Sequence, residues 1–231
     1  MILIFDELPD KISDMDLDQM LEIGGITEND YAVDYAKFDN EELKEKVSIR
    51  LNTEIATAAD YIMRKHNISS NYFYKIATKH GAMLMAKNKH FSRLIELTDL
   101  IHKIYDKAQD TGDVQLITAT YELLKDIDVH DINLGGHQKS IYPLPKWRLY
   151  LDSLAYRMYL PKSCVYVSAI VLSMSTCVKL VTYNYLMTQL ETTLTKRLSA
   201  VRKFLQIVST HKDYAVIKEI VANSHFADIL P

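Results

Sequence analysis

The sequence predicts a mainly α-helical chain with two short extended stretches. Three observations lead there. The 231 residues include only 6 Gly and 5 Pro, too few for a turn-dense β protein. Apolar residues recur at helical spacing over most of the chain, and only two short stretches read as extended. Each of those stretches precedes a similar pair of helices, and the helices of the two copies superpose at an offset of 92 residues.

Residues 1–43 carry 13 acidic and 2 basic residues, a net charge of −11. A short helix is expected near 16–23, ended by Gly24 and Gly25, with the remainder loop or weakly ordered because dense like charge opposes compaction. Residues 45–51 alternate strictly. Val47, Ile49 and Leu51 point one way and Lys46, Ser48 and Arg50 the other, the pattern of a half-buried strand. From Thr53 the period becomes helical through Ile55, Ala58, Ala59, Ile62 and Met63. Asn67 suits a left-handed helix end. Ser69 is the expected N-cap of a second helix through Phe73, Ile76, Ala77 and Leu84.

Residues 90–109 read as an amphipathic helix, broken by the run Asp110 to Asp113, and residues 114–126 as another. A loop with Gly135 and Gly136 follows. Lys139–Pro145 is a short extended run. Trp147, Leu151, Leu154, Ala155 and Met158 then mark a helix, residues 160–163 a turn, and Val165–Val178 a very apolar helix. One or two helices are expected over 181–210 and a short last one over 213–223.

In the repeat, Asp60 falls on Asp152, Ile55 on Trp147, Ile62 on Leu154 and Ala77 on Ala169. The strands register less well: Leu51-Asn52 and Leu144-Pro145 are related by 93. The charge follows the repeat. Residues 44–90 carry +6 and 138–180 carry +5, whereas 91–137 between them carry −5. Basic modules set among acidic segments point to a polyanionic partner.

Residues 46–86 resemble the Arc/MetJ-like ribbon-helix-helix family of DNA-binding proteins. The resemblance rests on the alternating run Val47–Leu51, the helix with Asp60, the turn Asn67-Ile68-Ser69 and the second helix. Asn52 stands where the family has Pro, and Asn67 where it has Gly. Residues 139–180 resemble the same family less closely: Leu144-Pro145 is present, but Pro143 interrupts the strand. The resemblance implies two ribbon-helix-helix motifs sharing an antiparallel two-stranded ribbon, with additional helices. It divides the chain into an acidic segment (1–43), motif 1 (44–89), a helical connector (90–137), a degenerate motif 2 (138–180) and C-terminal helices (181–231).

Such a ribbon fits the major groove of B-DNA, where outward side chains reach base edges. The expected base readers are Lys46, Ser48 and Arg50. The expected phosphate contacts are Ser69, Ser70 and Asn71 at a helix N-terminus, with Lys139, Lys146, Lys162 and Ser163 from the second copy. If Leu144-Pro145 sets the register of the second strand, Lys139, Ile141 and Pro143 face outward. If the offset of 92 sets it, Gln138, Ser140 and Tyr142 do. The ribbon is therefore expected to be asymmetric. The copies pair either within one chain or with a second chain; the first is favoured because it removes concentration dependence.

The plainer readings are a wet strand face for Lys46, Ser48 and Arg50 and an ordinary cap for Ser69. Asp126, Asp128, His130, Asp131 and His137 read as a solvated loop, not a metal site. Cys164 and Cys177 read as buried thiols in an apolar helix. Residues 164–178 lack charge but fall short of the roughly 20 apolar residues of a membrane span. The acidic segment reads as a solubilising arm or as a shield over the basic surface. The sequence lacks G-x-S-x-G, Walker, G-x-G-x-x-G and H-E-x-x-H patterns, so neither an enzyme nor a cofactor is expected. Without a basic, apolar leader the expected compartment is the cytoplasm. Fifteen Tyr against 6 Gly hint at an AT-rich genome, archaeal, viral or plasmid.

The expected function is sequence-specific binding of double-stranded DNA as a transcriptional regulator. A partition or replication accessory factor, or an interaction module that has lost DNA binding, are the alternatives. The extra helices have two expected uses, homodimerisation or a surface for a partner or effector.

Overall fold

The computed structural model describes residues 46–128 and 132–231. The acidic segment 1–43, with its expected helix, lies outside the described residues, as do His130 and Asp131. The described residues form eight α-helices and one two-stranded antiparallel sheet. They fall into two compact units. The first comprises residues 46–88, 133–155 and 161–187; the second comprises 89–128, 132, 156–160 and 188–231.

In the first unit, β1 (Val47–Leu51) leads to α1 (Thr53–Lys65) and α2 (Ser70–Lys87). Asn52 converts strand into helix: its side-chain oxygen accepts the Ile55 N–H at 2.9 Å, as an N-cap does. The end of α1 is set by Asn67, whose φ of 52° turns the chain sharply. Ser69 then caps α2 by accepting the Tyr72 N–H at 3.2 Å.

The same order recurs. β2 (His137–Ile141) leads to α5 (Pro145–Arg157) and α6 (Lys162–Ser175). Both ends of α5 lie 92 residues after those of α1, and α6 starts 92 residues after α2. Tyr159 takes up φ 48°, again 92 residues after Asn67. Each of these two inter-helix turns thus holds a non-glycine residue in the left-handed region, a conformation uncommon outside Gly.

Several details differ from the sequence expectations. The offset of 92 holds through the turn into the first helix as well, so Pro145 corresponds to Thr53 and not to Asn52. Asn52 ends its strand as a cap, and the buried Leu144 holds the matching place. The second strand starts at His137 and stops at Ile141, before Pro143, which has no N–H to give a ladder. α6 ends at Ser175, so Cys177 lies beyond the helix, although both thiols are buried.

The strands pair with Ser48 opposite Ser140, Val47 opposite Ile141 and Leu51 opposite His137. Pairing is therefore within one chain. Gly136 precedes β2 with φ 143°, and a Cβ there would lie 1.9 Å from the Leu51 carbonyl oxygen, so only Gly allows the strand to enter. Beneath the ribbon the packing is crossed: α6 lies against β1 and α2 against β2. Ile49, Leu51 and Ile141 supply the ribbon's contribution to a core completed by Ile55, Ile62, Phe73, Ile76, Val165 and Ile170.

α2 and α6 cross where their side chains are small. A Cβ on Gly81 would meet the Ala169 carbonyl oxygen at 1.8 Å. Beside the crossing, buried His80 and Ser173 share a 3.1 Å hydrogen bond, and burial lowers the pKa of the imidazole. The unit also holds the start of α7 (Val181–Val208). Glu54 of α1 accepts the Val181 and Thr182 amides at 2.7 and 2.8 Å and the Thr182 hydroxyl as well, placing a carboxylate on the positive end of α7.

The second unit is built from α3 (Lys89–Thr111), α4 (Val114–Ile127), the rest of α7 and α8 (Tyr214–Ala222). The expected helices at 90–109 and 114–126 are α3 and α4, and 181–210 is a single helix. Arg197 of α7 is buried, and its guanidinium donates to the carbonyls of Met158 at 2.6 Å and Tyr159 at 3.0 Å and to the Thr98 hydroxyl at 3.3 Å. Burial lowers its pKa to about 10, with Asp128 pulling the other way. No helix among the described residues is long and apolar enough to cross a membrane.

Candidate nucleic-acid interface

Strand alternation decides what the ribbon shows to solvent. On β1 the exposed residues are Ser48 and Arg50, and Lys46 is exposed just before the strand; these are the three expected base readers. On β2 Gln138 and Ser140 are exposed on this side, Tyr142 continues it just beyond the strand with 42% of its surface exposed, and His137 is exposed at the start of the strand on the alternate side. The register set by the offset of 92 is the observed one. The register set by Leu144-Pro145 would turn Ile141 outward, and Ile141 is only 2% exposed. Gln138 and Tyr142 were thus legible only from the helices. The Leu-Pro pair pointed elsewhere because Pro145 opens a helix and does not mark a strand position.

Across the face, Arg50 stands opposite Gln138 and Ser48 opposite Ser140. Gln138 also donates from Nε2 to the Ser48 Oγ at 2.8 Å, a diagonal bond that holds the amide upright on the face. The face is polar and open. Among the described residues it carries two cations, an amide, two serine hydroxyls and the tyrosine ring with its hydroxyl, and no carboxylate.

The residues expected to meet phosphates are scattered more widely. Ser69 and Asn71 are exposed and Ser70 half-buried at the start of α2. The Ser70 and Asn71 amides have no intrahelical acceptor by position. Lys139 is on the inner side of β2, half-buried, its ammonium 5.6 Å from the centre of the Tyr74 ring. Lys146 is exposed at the start of α5, its ammonium 5.8 Å from the Trp147 ring centre. Lys162 is exposed but bonds Asp152 at 2.7 Å, and Ser163 next to it is half-buried. Asp152 is a hub: it also accepts the Tyr166 hydroxyl proton at 3.0 Å and lies 3.9 Å from Arg148 Nε. The aspartate that marks the repeat therefore anchors α5 to α6. In the first copy Asp60 acts on Tyr74, whose pKa is raised to about 12, chiefly by burial and secondly by that carboxylate.

Outside the ribbon, the second unit has an open groove of about 650 Å³ lined in part by Val114, Leu116, Ile207, His211 and Lys212. At its rim Asp113, His211 and Asp213 come close together. Hydrogen bonds account for the cluster. Asp113 Oδ1 caps α4 by accepting the Gln115 and Leu116 amides at 3.0 and 3.3 Å, and it lies 3.2 Å from His211 Nε2. His211 Nδ1 accepts the Asp213 N–H at 3.2 Å, so the ring proton sits on Nε2 and both ring nitrogens are used. The Leu116 amide leads the groups that hold the Asp113 carboxyl below its ordinary pKa.

Comparison with protein-family models, curated proteins and solved structures returns no match for the chain.

Proposed function

We propose that this protein binds double-stranded DNA sequence-specifically by inserting its β-ribbon into the major groove, and that it acts as a transcriptional regulator. In this reading β1-α1-α2 and β2-α5-α6 are two ribbon-helix-helix halves joined in one chain. One observation carries it: the outward face of the antiparallel ribbon is open to solvent and presents Lys46, Ser48, Arg50, Gln138 and Ser140 together. A two-stranded ribbon fits the groove, and these side chains match the donors and acceptors of base edges.

The test is binding of a random labelled duplex at two salt concentrations. With about four phosphates contacted, a fourfold rise in salt weakens binding by roughly 10²-fold. Arg50→Ala weakens a selected site more than random DNA, whereas Lys146→Ala weakens both alike. Equal losses from the two changes refute the division between base reading and phosphate contact. Absence of binding at low salt refutes the proposal.

A second reading, an interaction module that has lost DNA binding, draws on two placements. Lys139 is turned inward and the Lys162 ammonium is engaged by Asp152, which leaves the second copy poorer in cations for phosphates. The same low-salt measurement separates the two readings.

A further inference from the structure

The two ends of the ribbon face are chemically different, and this difference dictates the form of the DNA sequence it reads. Ser48 and Ser140 are directly opposite each other and also 92 residues apart. That is the offset relating α1 to α5, so the local two-fold axis of the repeat passes between these two serines. About that axis Lys46 corresponds to Gln138 and Arg50 to Tyr142. Antiparallel pairing then sets Arg50 beside Gln138 at one end. Continuing the register by one residue sets Lys46 opposite Tyr142 at the other.

We infer that a single chain reads a non-palindromic DNA site, in which Arg50 and Gln138 together specify a guanine and a nearby adenine at one end, while the Lys46–Tyr142 end discriminates little. The inference rests on the DNA-binding reading above and goes beyond it in naming the symmetry, the stoichiometry and Gln138 as a specificity-determining residue. Arg offers a planar fork to guanine O6 and N7, and Gln matches adenine N6 and N7 as donor and acceptor. The bond from Gln138 to Ser48 does not compete with this. One amide N–H is spent on Ser48, leaving the second N–H for N7 and the oxygen for the N6 amine. At the far end the Lys46 ammonium can reach guanine O6 and N7, but as a point charge on a flexible stem it lacks the planar fork that fixes Arg50, and Tyr142 offers an apolar ring with one hydroxyl.

A ribbon built from two identical chains would bring the same residues to both ends and demand a palindrome. This one has no such constraint, because both strands belong to one polypeptide. The sequence preference therefore splits into a strong end and a weak end.

The experiment is selection of bound duplexes from a random pool by the full chain and by Gln138→Leu, with the mass of each complex measured by sedimentation. The expected wild-type motif lacks two-fold symmetry and concentrates its information at one end, with one chain per site. Gln138→Leu removes the adenine preference alone. Replacing that adenine in the wild-type site weakens wild-type binding about 5- to 150-fold and leaves the Gln138→Leu variant indifferent. Gln138 is exposed, so the variant keeps the fold; its far-ultraviolet spectrum checks this. A palindromic motif, two chains per site, or an unchanged motif in Gln138→Leu overturns the inference while leaving DNA binding intact. A pool that yields no enrichment, with no low-salt binding of random duplex, overturns the DNA-binding reading itself.

Discussion

Replacing Gly81 by Ala sets two opposing effects against each other, and the geometry decides between them. Gly inside a helix costs about 1 kcal/mol relative to Ala, so on helix propensity alone the variant gains that amount. Against this, the new methyl group would sit 1.8 Å from the Ala169 carbonyl oxygen, 2.4 Å from its carbonyl carbon and 2.7 Å from its Cα. All three are backbone atoms of α6, so no side chain can swing away. An ordinary contact is about 3.5 Å or more, so the two helices must part by well over 1 Å at their crossing. Overpacking of this kind costs about 1–3 kcal/mol. Parting the helices also stretches the 3.1 Å bond between His80 and Ser173, which sits on the neighbouring residue of α2 and is buried. Losing it adds about 1–3 kcal/mol. The net effect is a loss of about 1–5 kcal/mol, which for a chain of this size lowers Tm by roughly 2–20 °C. Thermal denaturation followed by circular dichroism reads it directly. Gly112→Ala is the control: Gly112 has φ 65° but open space around it, so it bears only the backbone cost of about 1 kcal/mol. A Gly81→Ala variant as stable as wild type, or more so, refutes the close crossing of α2 and α6.

Three further outcomes follow from the packing. Glu54→Ala removes the carboxylate that accepts the Val181 and Thr182 amides, so urea denaturation should show a loss of about 1–2 kcal/mol, while Glu54→Gln recovers part of it. Arg197→Leu strands the Met158 and Tyr159 carbonyls that the guanidinium now satisfies; a loss of about 3 kcal/mol is expected by the same measurement, and a neutral effect would contradict the buried bonds. The Tyr74 phenol has its pKa raised from 10.0 to about 12 in the folded chain, so the stabilisation linked to its proton is complete below pH 10 and is lost as pH rises through about 12. Tyr166 is raised for the same leading reason, burial, and adds to the loss. Urea midpoints across that window should fall less in Tyr74→Phe than in wild type; parallel slopes would argue against a buried phenol.

The parts of the fold that were readable are those governed by local period. The alternation of Val47, Ile49 and Leu51 and the helical spacing from Ile55 to Met63 each express which side of one element is buried. Asn67 and Ser69 announce their turn and cap through side-chain chemistry alone. The second strand was harder, because Lys139–Pro145 is short and holds two prolines, and its face depends on a partner 90 or more residues away. The fate of Lys139 and Lys162 was not legible either. A lysine on a strand or at a helix start reads as a free cation, and only packing reveals the Tyr74 ring beneath one and the Asp152 carboxylate beside the other. The outward trio of β1 was visible in sequence, whereas the pairing of Arg50 with Gln138 required the register.

The strand pairing also governs how this chain is made. Val47 meets Ile141 across 94 residues of sequence. Closing a loop of that length carries an entropic cost of roughly 4 kcal/mol, and none of it is repaid until the whole intervening stretch exists. On the ribosome, the first strand, with Ile49 and Leu51 on one side, emerges without its partner and stays an unpaired edge while the following helices are synthesised. The slow step of biogenesis should therefore be the late arrival of His137–Ile141, and the interval before it is when a newborn chain is most open to chaperones or to aggregation.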